Sequence, residues 1–167
     1  MQAASDMAAS DLRWLRPFII TSHYYPHGWP EVIKVDLMAA KYVVLAGQSV
    51  PEAANGANLQ AADADGNVTL SFSEGQLTET LDRAANLSIA DAVTKIPSND
   101  PTFTLTISRA TGAISGTFIH TDDRVSGYSG IIYQKGPDAG AYGFFLTKQP
   151  VPIDYTGESG GVSLIGQ

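Results

Sequence analysis

Histidines and clustered acids are the residues in this chain whose types and spacing best suit chemistry. His23 and His27 bracket Tyr24, Tyr25 and Pro26, while His120 is followed closely by Asp122 and Asp123. Neutral imidazole nitrogens suit zinc at about 2.0 to 2.1 Å, and Asp122 or Asp123 would add an oxygen ligand or a base. Two histidines four apart share a face only on a helix, and Pro26 sits inside a segment that reads as extended. Ligation would therefore need His120 from a distant strand, with the PHGWP turn and the end of AISGTFIH at one rim. The plain alternative is a tyrosine-rich turn and one hydrogen-bonded interior histidine.

Asp63, Asp65 and Asn67 place oxygen donors at alternating positions, as calcium loops do at about 2.3 to 2.6 Å. The glycine of DADGN is misplaced for an EF-hand, and no acid closes the loop at the expected distance. Asp-Gly or Gly-Asn ahead of the alternating NVTLSFS is also a hairpin signal. A divalent cation, zinc or calcium, is the cofactor class these two groups suggest. Asp122 and Asp123, being adjacent, point oppositely on an extended chain and make a poor pair for sugar hydrolysis. GESGG at 157–161 lacks the strand-to-helix setting of a nucleophile elbow. The glycines of GYSGIIYQKGPDAGAYGFF form neither a phosphate loop nor a dinucleotide fingerprint, because no Gly-Lys-Ser/Thr and no helix follow. Trp14, Trp29, Tyr24, Tyr25, Tyr128 and Tyr133 could build a platform for sugar or peptide ligands, or fill a core with GWP plugging a barrel end.

Elements with period-two alternation must position these residues. FIITSHYY, EVIKVDL, KYVVLAG, NVTLSFS, FTLTIS, AISGTFIH, YSGIIYQ and AYGFFLT each read as a strand, and PHGWP, DADGN, PSNDP, RATG and KGPDAG supply the turns between them. The expected fold is all-β, mainly an antiparallel β-barrel or barrel-like sandwich with short helical turns. Residues 46–66 read as a long loop, and 82–96 as either a strand or a helical turn. The expected interior comprises Phe103, Leu105, Ile107, Ile114, Phe118, Ile132, Phe144 and Leu146, with His120 in line with it. The expected organisation is a flexible segment at 1–12, a barrel-like domain at 13–149 and a tail at 150–167.

Composition narrows the function classes. The 167 residues carry 17 acids against 10 bases, a net charge of -7, with no basic run to neutralise phosphates, so nucleic acid is an unexpected partner. Cysteine is absent, which excludes disulfides and thiolate metal sites. No run of 18 apolar residues exists to span a membrane, and the start MQAASDMAASDLRW has no basic and apolar regions of a signal peptide. A charged fraction of 16% with abundant Gly, Ser and Thr leans toward extracellular β-proteins.

GWPEVIKVDLMAAKYVVL, LTISRATGAISGTFIH and YSGIIYQKGPDAGAYGFFL together resemble the poorly characterised C-terminal β-module of large exported proteins in Verrucomicrobia-like and Planctomycete-like bacteria. The resemblance spans residues 11–147 and rests on Thr111 to Phe118, Gly130 to Gln134 and Tyr142 to Phe145. RATGAISGT is also similar to immunoglobulin-like repeats, whose strand continues with a proline where this chain has Phe118; the whole-chain pattern favours the first family. That resemblance implies a terminal or accessory domain of a larger parent protein, secreted, periplasmic or at the cell surface, with no activity to transfer. The expected function is a non-catalytic extracellular β-module for structural, display or weak ligand- and partner-binding roles. The alternative is a small metal-assisted hydrolase of an ester or lactone, built on the histidines, in which a cation polarises the carbonyl or activates water.

Overall fold

The structure, a computed structural model, describes residues 5–44, 46–50, 60–136, 138–147 and 157–167. Strands β1 (Met7–Trp14) and β2 (Ile33–Ala39) form an antiparallel ribbon. Strands β3 (Val68–Glu74), β4 (Leu81–Leu87), β5 (Val93–Ile96), β6 (Thr106–Ser108), β7 (Ala113–Ile119), β8 (Val125–Tyr133), β9 (Gly140–Leu146) and β10 (Ser159–Gly166) form one antiparallel sheet. Its order is β5-β4-β3-β10-β9-β8-β7-β6, and it curls into a nearly closed barrel.

Alternation decides which face turns inward. On β3, Val68, Leu70 and Phe72 are buried while Thr69, Ser71 and Ser73 stay partly exposed, and on β10 Val162 and Leu164 join them. Phe72 on β3 and Phe118 on β7 are separated in the sheet by three strands, yet their rings stack with centroids 4.0 Å apart and planes 16° apart. Only a strongly curled sheet brings them together. Phe145 and Tyr128 pack edge-on to Phe72, completing an aromatic centre fed by four strands.

The bend is built where Gly130 of β8 faces Gly143 of β9. A Cβ at Gly143 would lie 2.3 Å from the Ser129 carbonyl oxygen and 2.7 Å from the Gly130 Cα, so no side chain fits between these strands. Side chains close the seam between the outermost strands. Arg83 Nε on β4 donates to Thr102 Oγ1 at 3.0 Å, and Lys95 on β5 donates to the carbonyls of Asp100 and Phe103. At one end, Arg109 pairs with buried Asp91 at 2.6 Å, Val50 N donates to that carboxylate at 2.7 Å, and Ser49 and Val50 are buried there.

Tyr128 contributes a pH dependence. Its hydroxyl donates to the Thr104 carbonyl at 2.8 Å, and burial pushes the phenol well above its usual value; burial raises Tyr42 as well. A raised folded value means the proton is held more tightly in the folded state. This contribution is whole below about pH 10, the ordinary tyrosine value, and is lost as pH climbs beyond it. The melting temperature is expected to fall steeply above that pH. Tyr128→Phe should cost about 1 kcal/mol at neutral pH and flatten the alkaline limb, which thermal melts across pH would check.

Several expectations are corrected. Residues 7–12 of the 1–12 segment read as flexible belong to β1, which runs on to Trp14, because their hydrogen bonds go to β2. Residues 159–166, read as tail, form β10, which lies between β3 and β9. The 82–96 region, read as either a strand or a helical turn, takes the first of these, as β4 and β5. FIITSHYY forms no strand: Ile19 N bonds Pro26 O and Ser22 N bonds Ile19 O, so its first half turns back on itself between Pro17 and Pro26, and its end meets the sheet through an isolated bridge from Tyr24 to Gly157. The described residues of KYVVLAG are likewise outside any strand. Phe103, Leu105, Ile114, Phe118 and Ile132 are buried and Ile107 packs at the core margin, whereas Phe144 and Leu146 point outward. The face of β9 is the reverse of that expected, with Ala141 and Phe145 buried instead. A narrow barrel alternates small and large interior residues, and Ala141, Gly143 and Phe145 fit that space where Tyr142, Phe144 and Leu146 would not.

Candidate functional site

The reversal of β9 builds the site. Phe144 and Leu146 leave the barrel and meet the end of the β1–β2 ribbon, forming a groove of about 570 Å³ lined by Trp14, Arg16, Tyr24, Tyr25, Trp29, Phe144, Leu146 and Ser159. Trp14 and Phe144 are each 57% exposed, so large aromatic surfaces remain open to a ligand. Trp14 and Trp29 meet edge to face with centroids 5.1 Å apart, and Tyr25 packs on Trp29 at 6.1 Å.

The loop between β1 and β2 is pinned to hold these rings. Arg16 Nη2 donates to Ser22 Oγ at 2.6 Å and to the Tyr24 carbonyl at 2.7 Å, and Trp29 N donates to the Arg16 carbonyl at 3.1 Å. The loop is then bonded to the barrel. Ser159 N donates to Tyr25 Oη at 2.9 Å, Gly157 N donates to the His23 carbonyl at 2.9 Å, and Tyr24 bridges Gly157 in parallel. Gly157 must lack a side chain, since a Cβ there would fall 2.3 Å from the Tyr24 ring and 2.1 Å from the Thr147 carbonyl oxygen. The far end of the ribbon is tied by Asp6 to Lys135 and by Val43 to Gln134. Lys135, with Lys41, holds the Asp6 carboxyl below its usual range. A second hollow of about 400 Å³, lined by Tyr24, Arg124, Val125, Ser126, Gly127 and Leu146, shares Tyr24 and Leu146 with the groove.

Four of the six aromatics expected to form a platform line this groove: Trp14, Tyr24, Tyr25 and Trp29. Tyr128 is in the core, and Tyr133 lies at the end of β8 outside the lining. Phe144, Leu146, Arg16 and Ser159 were missed. The available signal was the adjacent Phe144-Phe145 pair, which must send one ring to each face.

The histidines are placed differently from a metal site. The side chains of His23 and His27 are exposed, with His27 beside the Phe18 ring at 5.9 Å, whereas His120 is 2% exposed. Its Nε2 lies 3.3 Å from the Gly75 carbonyl oxygen and its Nδ1 lies 3.4 Å from Asp122 Oδ1. Asp122 is engaged by Arg124 at 2.6 Å, and that guanidinium holds its carboxyl below the usual range. Asp123 sits at positive φ in the β7–β8 turn, where its N donates to the His120 carbonyl at 3.0 Å. Asp63 Oδ1 accepts from Asp65 N at 2.9 Å and Gly66 N at 2.8 Å, which makes it a turn-forming side chain leading into β3. Asn67 is buried, bonded through its amide nitrogen to the Gln60 and Leu87 carbonyls and through its oxygen to Leu87 N. Among the described residues, no three His, Cys, Asp or Glu side chains gather as a metal ion would need. Neither His23, His27, His120, Asp122 and Asp123 nor Asp63, Asp65 and Asn67 form such a set, because turns and core contacts engage their polar atoms or distance separates them.

Comparison with protein-family models, with curated proteins and with solved structures gives no match.

Proposed function

We propose that the protein is a non-catalytic β-module whose aromatic groove binds an extended, proline-rich peptide segment. The observation that carries this reading is the convergence of both tryptophans of the chain with Tyr24, Tyr25 and Phe144 on one open, largely apolar groove. Proline-rich segments dock in aromatic-lined grooves because their extended helix is preformed and loses little entropy on binding. Their carbonyls need donors, and the indole N–H groups of Trp14 and Trp29 donate to no other described residue. A sugar would instead call for carboxylates or amides to bond its hydroxyls, and among the described residues of the lining there is no Asp, Glu, Asn or Gln. The exported, accessory role implied by the family resemblance belongs to the same reading: a domain that displays a binding surface for a larger parent protein.

Titration with a proline-rich peptide, followed by tryptophan fluorescence, tests this. Saturable binding is expected, and Trp29→Ala should weaken it about thirtyfold, the effect of removing an anchor worth about 2 kcal/mol. Equal affinity of the variant, or response to a soluble oligosaccharide and none to the peptide, would count against it.

A further inference from the structure

We infer that the peptide bound in the groove carries a carboxylate that Arg16 receives, an inference that rests on the groove being a peptide site. Arg16 is half-buried in the groove lining, and its hydrogen bonds go to neutral groups. Nη2 donates to Ser22 Oγ at 2.6 Å and to the Tyr24 carbonyl at 2.7 Å, and the Ser22 hydroxyl donates to that same carbonyl at 2.6 Å. These bonds fix the guanidinium and leave its charge unopposed. Nε is buried with no acceptor, Nη1 donates to no described residue, and no carboxylate among the described residues forms an ion pair with Arg16.

Other guanidinium groups of the barrel are met by acids. Arg124, in the hollow that adjoins the groove through Tyr24 and Leu146, pairs with Asp122 at 2.6 Å, and Arg109 pairs with buried Asp91 at 2.6 Å. Arg16 differs, and its setting makes the difference matter. A cation partly withdrawn from water beside aromatic rings is attracted to an anion more strongly than one on open surface, because less solvent screens the pair. Among the described residues lining the groove and the adjoining hollow there is no Asp or Glu, so the anion has to arrive with the ligand. Nη1 is the donor it meets, since Nε is shut off from solvent. The anion a peptide brings is a carboxylate, on an Asp or Glu side chain or at its C-terminus. A net charge of -7 gives an acidic peptide no long-range attraction to this chain, so the preference arises at the contact itself.

The test titrates the full chain, by tryptophan fluorescence, with an uncharged proline-rich peptide amidated at its C-terminus and with acidic versions of it. One Glu is placed before, within or after the proline run, each with a Gln counterpart, and a last version ends in a free carboxylate. At least one acidic version should bind about tenfold tighter than its uncharged counterpart, the effect of one charge-assisted hydrogen bond. A gain with Glu assigns the side chain as the source, and a gain with the free end alone assigns the terminus. In the 15N-labelled wild type, the Arg16 Nε–H resonance should shift further with that peptide than with its counterpart, a reading that does not depend on how any variant folds. Arg16→Gln should bind the two peptides equally, whatever its absolute affinity. Acidic and uncharged versions bound alike by the wild type would overturn the carboxylate while leaving the groove a peptide site, whereas no binding of any peptide would remove both. A tenfold preference that survives in Arg16→Gln, or one that leaves the Arg16 signal unmoved in the wild type, would also overturn it.

Discussion

Phe118→Ala is expected to destabilise the barrel by about 3 to 5 kcal/mol, the range for truncating a buried aromatic. The ring is 1% exposed, stacks on Phe72, and meets Phe145 edge-on at 4.8 Å. Removing it takes away contacts to β3 and β9 at once. The space left behind is lined by rings from strands that the backbone ladder holds apart, so little collapse can offset the loss. Phe144→Ala on the same barrel is the control: with that ring 57% exposed, its loss should fall within about 0.5 kcal/mol, as for ordinary surface changes. Denaturant unfolding of both variants separates an inward ring on β7 from an outward ring on β9, and equal losses would mean that the inward face of the barrel has been assigned wrongly.

Arg109→Ala should cost about 3 kcal/mol, close to Phe118→Ala although it removes no core hydrophobe. Asp91 is nearly fully buried in the turn after β4, and its carboxylate accepts from Arg109 Nη1 at 2.6 Å and from Val50 N at 2.7 Å. Arg109 also donates to the Gln48 carbonyl at 2.7 Å, so one guanidinium holds together the β4–β5 turn, the end of β6 and the segment that carries buried Ser49 and Val50. Truncating it leaves an anion stranded in the interior, a larger penalty than the pair's net worth. The double change Arg109→Ala with Asp91→Ala should recover part of the loss, because the stranded charge is then gone. A double-mutant cycle by thermal melting checks this, and additive losses would contradict it.

The barrel was legible where alternation is long and bounded by turns. β3, β7 and β8 follow NVTLSFS, AISGTFIH and YSGIIYQ closely, and five of eight expected interior residues are buried. What the sequence hid are contacts made by distant pairing. SGGVSLIG carries only three apolar side chains larger than glycine and reads as tail, yet both its edges are satisfied by strands far away in the chain. β1 is rich in alanine, and only a bulge between Ala9 and Leu12, with Asp11 at positive φ, keeps Leu12 and Trp14 on the same face as Met7 and Ala9. The groove was half legible for the same reason. Its tryptophans and tyrosines were visible as a cluster, but Phe144, Leu146 and Ser159 enter it only through the face of β9 and the placement of β10. The histidines drew attention by residue type, whereas the structure surrounds His120 with the core and leaves His23 and His27 facing solvent.

The groove reading is tested most directly by the two indole N–H resonances of the 15N-labelled protein, because the chain has only two tryptophans and both line the groove. Titrated with a proline-rich peptide, both resonances should move together and saturate, while Asn67, bonded within the core at the start of β3, stays still. Unmoved indole signals across the titration, or signals that move only with an oligosaccharide, would contradict the account.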